Sequence, residues 1–391
     1  MFKCCYLEYG RGMNPTRNTS LMSGPITRDA LTSSSLQYLL LHPIHPVVKF
    51  LGLGYSPLVQ LRGTSETQTM CIALISTAHP EYSLIIINNR DEFLHRPTSS
   101  PDWWPEPSSH VLGSRDLARS THGTWMGVTK HGKVAVLTNY REDSTSAAIG
   151  VYSRGVIVNS WLIGSTDKRE DTREFVQGIV ASPESKQVGG FSLVCGHINE
   201  PLAIVSNRST DMDQIAWVAT EKNQTRGLSN TSFDDRTWPK IIDGEQLMEA
   251  AIDEHVQKGD GEDEDALIDR LLQVLRTDSL PRLSEENNTI EEYIRHLHKT
   301  IFVPRIGTPN DRDQAAEKIA AAQAEDEADT PTNGPPDQSY TSGSYGTQKQ
   351  TVLLARPDGR VRYFERTLYD SGAKAVPIGQ GDHSFEFDIT E

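Results

Sequence analysis

A thiol and a cluster of charged side chains lie near residue 70, and these residue types can do nucleophilic chemistry. Cys71 opens an apolar run, and a second apolar run, Leu84 to Ile87, ends in the polar residues Asn88, Asn89, Arg90, Asp91 and Glu92. A positive charge beside a thiol lowers its pKa and favours the nucleophilic thiolate. The sequence therefore predicts a thiol site in which Cys71 lies beside Arg90 and Asp91. The alternatives are that Cys71 is a buried, inert thiol at a strand start and that residues 89–92 form a salt-bridged turn that holds two strands.

Two strands must position this cluster. The runs Ile72 to Ile75 and Leu84 to Ile87 are rich in β-branched residues, and a His-Pro-Glu-Tyr segment separates them. This pattern predicts a β-hairpin. Because the strands of a hairpin are antiparallel, the charges that end the second strand should lie near the start of the first, where Cys71 is.

The residues from Met70 to Pro97 resemble the opening of the NRDE family, which takes its name from the Asn-Arg-Asp-Glu run. Further blocks follow in the order that the family shows: Gly123-Thr124-Trp125-Met126-Gly127, Leu137-Thr138-Asn139-Tyr140-Arg141, Ser153-Arg154-Gly155, Leu228-Ser229-Asn230, Trp238-Pro239-Lys240, Tyr345-Gly346-Thr347 and Gln350-Thr351-Val352-Leu353-Leu354. The order of the blocks, rather than any single block, carries the resemblance.

The resemblance implies an α+β fold, a four-layer αββα sandwich similar to N-terminal-nucleophile hydrolases. It also implies a cytoplasmic, Golgi-associated or mitochondrial protein that acts in Golgi organisation and protein secretion and in lipid or haem mobilisation. Such a protein would act by binding a small-molecule, lipid or haem ligand. No cofactor is then required, and haem enters only as a transported ligand.

The alternative that the resemblance implies is a cysteine amidohydrolase or acyltransferase of the N-terminal-nucleophile type. In that mechanism Cys71 attacks an amide or ester carbonyl, and its own α-amine takes the proton because the amine pKa lies near neutral pH. Arg90 would favour the thiolate and Asp91 would orient the amine. Asn139 would donate to the oxyanion, and Asn230 would be a second polar anchor.

Two features of the sequence oppose the hydrolase alternative. If the residues before Cys71 are retained, the thiol has no free amine beside it. The family block Gly-Thr-Arg-Ser also reads Gly346-Thr347-Gln348-Lys349 here, so glutamine replaces an arginine expected near the site. Lys349 is the residue that could supply the missing charge, although lysine lacks the planar fork of arginine.

Composition excludes several classes of protein. The chain has 391 residues and a net charge of -15, which argues against nucleic acid or an anionic membrane as a partner. The apolar patch at 39–53 is interrupted by prolines, histidines and a lysine and is too short to span a membrane. The four cysteines show no zinc-ligand or disulfide spacing and favour a reducing compartment. The histidines at 79, 95 and 122 are predicted to be structural rather than metal ligands.

The domain prediction has three parts. Residues 1–69 lie outside the family and are a presequence, a disordered extension or the product of an upstream start, with Met70 the true first residue. Residues 70–375 form the NRDE domain, with a disordered insertion at 309–344 that is rich in Ala, Glu, Pro and Ser. Residues 376–391 are a tail in which we find no pattern.

The remaining periodicity favours a layered sandwich over a doubly wound sheet, because helices and strands do not alternate regularly. Trp103 and Trp104 lie in a proline-rich loop and either pack against the body or line a ligand pocket. Apolar spacing predicts helices at 153–162, 171–181, 261–275 and 285–298, and strands at 124–127, 134–138, 191–195, 203–206, 213–219, 351–355 and 361–365.

Overall fold

The fold is described here from a computed structural model. It describes residues 70–140, 153–164, 170–259, 263–308, 310–311, 314–315, 317, 340 and 342–390. The predictions for residues 1–69 and for most of the insertion at 309–344 therefore lie outside the described residues.

One sheet carries Cys71 at its start and has six antiparallel strands. In spatial order they are β10, β1, β2, β11, β12 and β13. Their bounds are β1 Ile72–Ser76, β2 Leu84–Phe93, β10 Thr225–Leu228, β11 Tyr345–Ala355, β12 Arg360–Thr367 and β13 Asp382–Asp388. The predicted hairpin is confirmed, since β1 pairs with β2 and Ile72 lies opposite Asn89.

The second sheet is a seven-stranded antiparallel meander whose strands follow one another in chain order. Its strands are β3 Asp102–Trp103, β4 Val111–Gly113, β5 Met126–Thr129, β6 Lys133–Asn139, β7 Phe191–His197, β8 Leu202–Ser206 and β9 Ala216–Val218. Trp104 is 4% exposed, and its indole N–H donates to the carbonyl of Gly113 at 2.9 Å. The proline-rich loop is therefore fastened to this sheet.

Helices cover the outer face of each sheet. The helices are α1 Gly155–Ile163, α2 Thr172–Ala181, α3 Pro239–Gln257, α4 Glu264–Leu275 and the single turn α5 Ile290–Tyr293. One apolar cluster joins α1 and α2 to the seven-stranded sheet, and another joins α3 and α4 to the six-stranded sheet. A third cluster fills the space between the sheets. The predicted four-layer αββα sandwich is confirmed.

Successive side chains of a strand point to opposite faces of the sheet, and this alternation produces the layers. In β1, Leu74 faces the α3–α4 cluster, whereas Ile75 faces the space between the sheets. In β2, Ile87 likewise faces the α3–α4 cluster, and Ile86 faces the space between the sheets. Both faces of a central strand are thus covered, which explains why its sequence is continuously apolar rather than alternating.

Strands β3 and β4 and three further elements went unpredicted, and each of these three has a physical reason. Helix α3 is rich in acidic residues and contains Gly244, where a Cβ would lie 3.1 Å from side-chain carbons of Leu74. The glycine that weakens the helical pattern thus lets α3 approach β1 closely. Strand β10 is only four residues long. Strand β13 lies at a sheet edge and alternates charged residues with Phe385 and Phe387, so the prediction of no pattern after 375 is wrong there.

Two predicted elements are shorter than expected. The helix predicted at 285–298 is broken into single turns, because Thr289 accepts a hydrogen bond from the Glu292 N–H and starts a new turn there. The strand predicted at 213–219 is confined to β9, because Met212–Gln214 forms a 3₁₀ turn before it. The other predicted helices and hairpins are confirmed to within a few residues.

A buried ion pair connects the two sheets. Lys349 is 2% exposed and Glu365 is fully buried, and the Lys349 Nζ lies 2.8 Å from the Glu365 Oε1. The Lys349 ammonium also donates to the Ser99 carbonyl at 3.0 Å, and Ser114 donates to Glu365. Since Ser99 and Ser114 flank the first strands of the meander, this polar group connects the facing sheets.

Replacing Lys349 by Met should lower the free energy of unfolding by about 3–5 kcal/mol, because Glu365 would be left buried without its cation. Urea unfolding of the variant and the parent protein measures this loss. The double variant Lys349→Met with Glu365→Leu should recover much of it. The matched control is Lys258→Met, which breaks the exposed pair with Glu254 and should leave the unfolding midpoint unchanged. Equal midpoints for Lys349→Met and the parent would contradict this interpretation.

Candidate functional site

Cys71 is held by hydrogen bonds to its backbone on both sides. Its N–H donates to the Oδ1 of Asn230 at 2.7 Å, and its carbonyl accepts from the Ser229 hydroxyl at 2.6 Å. The ammonium of Lys240 lies 3.4 Å from the same carbonyl. Both the Leu-Ser-Asn and the Trp-Pro-Lys blocks therefore serve to fix the thiol residue. The role of Asn230 as a polar anchor for a ligand or substrate stays a prediction.

Met70, which precedes the thiol residue, is also buried. It is fully shielded from solvent, and its N–H donates to the hydroxyl of Tyr345 at 2.6 Å. Cys71 itself is 6% exposed. The peptide bond between the two residues thus lies inside the protein, within a polar cage formed by Tyr345 of β11, Lys240 of α3 and the Ser229–Asn230 pair after β10.

Strand β2 continues through the whole polar cluster, which the sequence placed after the strand end. Because side chains alternate, Asn89 and Asp91 lie on the helix side with Ile87, and Arg90 lies on the side between the sheets with Ile86. Asn89 donates to the carbonyls of Leu275 and Ile301, each at 2.8 Å. The first residue of the Asn-Arg-Asp-Glu run therefore satisfies one backbone carbonyl at the end of α4 and another at Ile301.

Asp91 carries the most perturbed carboxyl group at the site. Its Oδ1 accepts from the Thr347 hydroxyl at 2.6 Å, whereas its Oδ2 is buried and has no hydrogen-bond partner among the described residues. Burial raises the pKa of Asp91 to about 7, although Lys240, Thr347 and Arg90 each favour the ionised form. Asp91 can therefore hold or release a proton near neutral pH.

Arg90 is fixed between an aromatic ring and two polar side chains. Its guanidinium carbon lies 4.4 Å from the ring centre of Trp125, and it forms an ion pair of 3.6 Å with Glu92. It also donates to the Oε1 of Gln348. The amide of Gln348 donates in turn to the carbonyls of Leu94 and Arg96. Gln348 thus orients Arg90 in this chain.

Lys349 does not supply the charge that its neighbour lacks. The register between β2 and β11 shifts between Thr347 and Lys349, which makes Gln348 the extra residue of a bulge. Gln348 therefore reaches Arg90, and Lys349 is fully committed to Glu365 and its partners. The suggestion that Lys349 replaces the arginine at the site is wrong.

A group of arginines lies around the thiol. Burial is the largest effect on Arg154 and lowers its pKa to about 10. The side chain also feels the charges of Glu92, Arg96, Arg119 and Cys71. Arg96 forms a 2.6 Å ion pair with Asp116. Sequence reasoning did not select Arg154, although the Ser-Arg-Gly block contained it.

Asn139 is the predicted site residue whose role the geometry defines least. It ends β6 opposite Phe191 and is partly exposed. Its neighbour Thr138 donates to the carbonyl of Ser229 at 3.0 Å. The end of β6 therefore lies beside the segment that holds Cys71, and the donor role of Asn139 stays a prediction.

The thiol is protonated and weakly reactive in this environment. Burial raises the pKa of Cys71 to about 12, and Asp91 adds to this effect. A hydrogen bond from the thiol to the Asp91 carbonyl, at 3.9 Å, and the charge of Arg90 only partly oppose it. The expected lowering of the thiol pKa by Arg90 exists but is the smaller effect.

Two further classes of site can be compared with the described residues. Among them, no cluster of three or more His, Cys, Asp or Glu side chains has the arrangement that a metal ion needs. In the same part of the chain, no helix combines the length and apolarity required to cross a bilayer.

Alkylation of Cys71 tests the raised pKa of its thiol. At pH 7.5 iodoacetamide should modify Cys71 in the folded protein at least about a hundredfold more slowly than in the urea-unfolded protein, because the thiolate fraction falls faster than its nucleophilicity rises. Peptide mapping by mass spectrometry assigns the rate to Cys71. If the alkylation rate of the folded protein rose with pH to half of its maximum below pH 8, the assignment of a protonated, buried thiol would be contradicted.

Comparison with known proteins places the chain in a family. The family model described as Transport and Golgi organisation 2 matches residues 70–370. An uncharacterized protein of Saccharomyces cerevisiae is 27% identical over 317 residues, which cover 77% of this chain and 93% of that protein. The Transport and Golgi organization protein 2 homologs of Bos taurus and Homo sapiens are 28% and 25% identical, and each alignment covers 74% of this chain and 88% of the relative.

Solved structures of two hydrolases are also similar. A Caenorhabditis elegans ortholog of N-acylethanolamine-hydrolyzing acid amidase has a TM-score of 0.32 at 12% identity, covering 51% of this chain and 85% of that one. A mutant of the conjugated bile acid hydrolase from Clostridium perfringens has a TM-score of 0.34 at 10% identity, covering 82% and 98%. These scores say nothing about activity. The match of the family model over most of the chain shows that the protein belongs to the Transport and Golgi organisation 2 family.

Proposed function

We propose that this protein acts in Golgi organisation and protein secretion by binding a small ligand beside Cys71, and not by turning it over. The observation that carries this proposal is the state of the Cys71 nitrogen. It lies in a peptide bond with the buried Met70 and donates its only proton to Asn230. An amide nitrogen cannot accept the thiol proton, so the base that an N-terminal nucleophile needs is missing in the chain as described.

The protonated thiol supports the same proposal. A pKa of about 12 leaves almost no thiolate at neutral pH. Asp91 titrates near neutral pH, yet Lys240 and Thr347 already engage it on the helix side of the sheet. The arrangement is therefore rigid and polar but poorly suited to nucleophilic attack.

The charges around the thiol favour a ligand with an anionic group. Four arginines interact electrostatically with one another or with the same carboxylates: Arg90, Arg96, Arg119 and Arg154. The carboxylates are those of Glu92 and Asp116, so positive charges outnumber negative ones in this group. Arginine forks match carboxylate and phosphate groups and bind them with two parallel hydrogen bonds. The propionate groups of haem and the headgroups of lipids have this chemistry, and these are the ligand classes that we propose. A cytoplasmic location at the Golgi or at mitochondria stays a prediction.

Ligand titrations test the binding role. Replacing Arg154 by Ala should weaken the binding of haemin or of a fluorescent fatty-acid probe about 10- to 100-fold, because a charge-assisted hydrogen bond contributes about 1.5–3 kcal/mol. Replacing Cys71 by Ala should change the affinity by less than about threefold. Absorption spectra for haemin and fluorescence titration for the fatty-acid probe provide the two dissociation constants.

The matched control is Arg282→Ala. Arg282 is mostly exposed and pairs with Asp278 rather than with any residue at the site, so its loss should leave both affinities unchanged. The proposal would be abandoned if neither probe bound the parent protein, or if Arg154→Ala and Arg282→Ala had the same effect.

The hydrolase remains a second candidate because of one specific observation. The Oδ1 of Asn230 and the hydroxyl of Tyr345 accept hydrogen bonds from the N–H groups of Cys71 and Met70, and the Cys71 thiol lies 3.9 Å from the Asp91 carbonyl. Removal of Met70 would leave an α-amine among these acceptors, which would supply the missing base. Intact-mass analysis and N-terminal sequencing of the protein from its native cell decide between the two candidates. A mature chain that begins at Cys71 favours the hydrolase, and one that keeps Met70 favours binding.

A further inference from the structure

Two buried histidines contact each other at the opposite end of α3 from Lys240. His79 follows β1 in the hairpin turn and is 1% exposed, and His255 lies in the last turn of α3 and is fully buried. The Nε2 of His79 lies 3.2 Å from the Nδ1 of His255. Neither residue belongs to the site around Cys71.

The neighbouring hydrogen bonds determine which ring nitrogen carries each proton. The N–H of Glu81 donates to the Nδ1 of His79 at 3.1 Å, so this nitrogen is an acceptor and the proton of His79 lies on Nε2. The Nε2 of His79 then donates to the Nδ1 of His255. The Nε2 of His255 donates to the carbonyl of Asp263 at 3.1 Å. All four ring nitrogens are used, and the chain of donors is complete only if both imidazoles are neutral.

We propose that this histidine pair is an acid-sensitive latch that fastens the β1–β2 turn to the end of α3 and to the start of α4. Protonation of His79 at Nδ1 removes the acceptor of the Glu81 N–H. Protonation of His255 at Nδ1 removes the acceptor of His79. Either event places two donors against each other inside the protein, so acidification releases the three segments from one another.

The charged groups around the latch come from five segments. Burial, the largest effect, and the charges of His255, Arg356 and Lys222 lower the pKa of His79 to about 4, while Glu81 opposes them. The ring of Tyr82 packs edge-on against His79 with 4.7 Å between the centres, and its hydroxyl donates to Glu264 at 3.2 Å. Next to His255, the carboxylate of Glu254 is engaged by Lys258 and Arg270.

The direction of the pH effect follows from these values. An unfolded histidine has a pKa near 6.5, and the folded His79 has a lower one. The opened segment therefore binds more protons than the closed one between these two values. The stabilisation by the latch is fully present above pH 6.5 and is lost progressively as the pH falls towards 4. One proton changes the opening equilibrium by about tenfold per pH unit in this interval.

Release at this end of α3 affects the helix that holds Cys71. Lys240 is in the first turn of α3, and His255 is about 23 Å farther along the helix axis at 1.5 Å per residue. Loosening the end at His255 thus frees the last turn of a helix whose first turn contacts the Cys71 carbonyl. The latch is independent of whether Cys71 binds or transforms its ligand.

Hydrogen–deuterium exchange of the full chain at pH 7.5 and pH 5.0, corrected for the intrinsic pH dependence of amide exchange, tests the latch. In the parent protein, residues 77–83 and 250–258 should exchange at least about tenfold faster at pH 5.0. In His79→Gln, whose amide keeps one donor and one acceptor but does not titrate, this acceleration should shrink severalfold. The matched control His383→Gln, on the edge strand β13, should retain it.

The proposal is overturned if the parent protein shows no acceleration, or if His79→Gln shows as much as the control. Nitrogen-15 NMR of histidine-labelled parent protein gives a test that needs no variant. At pH 6 the ring of His79 should be neutral with its proton on Nε2. An imidazolium ring at pH 6, or a proton on Nδ1, would equally overturn the latch.

Discussion

The alternation of side chains along β2 is the constraint on which the candidate site depends. Both faces of this strand are covered, one by helices and one by the facing sheet. A run of polar residues in such a strand must divide between the two layers. Asn89 and Asp91 therefore lie beneath the backbone of Cys71 with α3 and α4, and Arg90 lies above it, against Trp125. The Asn-Arg-Asp-Glu run thus places the Asp91 carboxyl group on the helix side of the sheet and the Arg90 guanidinium on the side between the sheets.

Burial determines how these groups behave. A carboxylate taken out of water without full pairing is destabilised relative to its neutral form, and the same is true of a thiolate. The nearby cations of Lys240 and Arg90 oppose this effect at Asp91 and Cys71 but do not cancel it. The site therefore contains a thiol that keeps its proton and a carboxyl group that can exchange one near neutral pH. From the charges in the sequence alone, Arg90 is expected to lower the thiol pKa, whereas burial raises it.

The sequence predicted the hairpin, the layer order and the proximity of Cys71 to Arg90 and Asp91, because these depend on local periodicity and on the family's blocks. It could not predict that Gln348 rather than Lys349 faces Arg90, since a one-residue bulge decides this and leaves no mark in composition. Arg154 and Lys240 were overlooked because their proximity to Cys71 arises from chain segments far apart in sequence. The signal that could have found them was their position inside matched blocks.

The position of Met70 connects the fold to the choice of function. Its side chain occupies an apolar cluster with Trp238 and Tyr345, while the Met70 and Cys71 N–H groups donate to Tyr345 and Asn230. While the residue is attached, the cage around it holds an amide and stabilises the start of β1. Once it is removed, the same acceptors would hold an α-amine, whose neutral form could take the thiol proton and whose protonated form would offset the burial of Asp91. A single peptide bond therefore determines whether the same set of side chains serves as a binding site or as a nucleophile with its base.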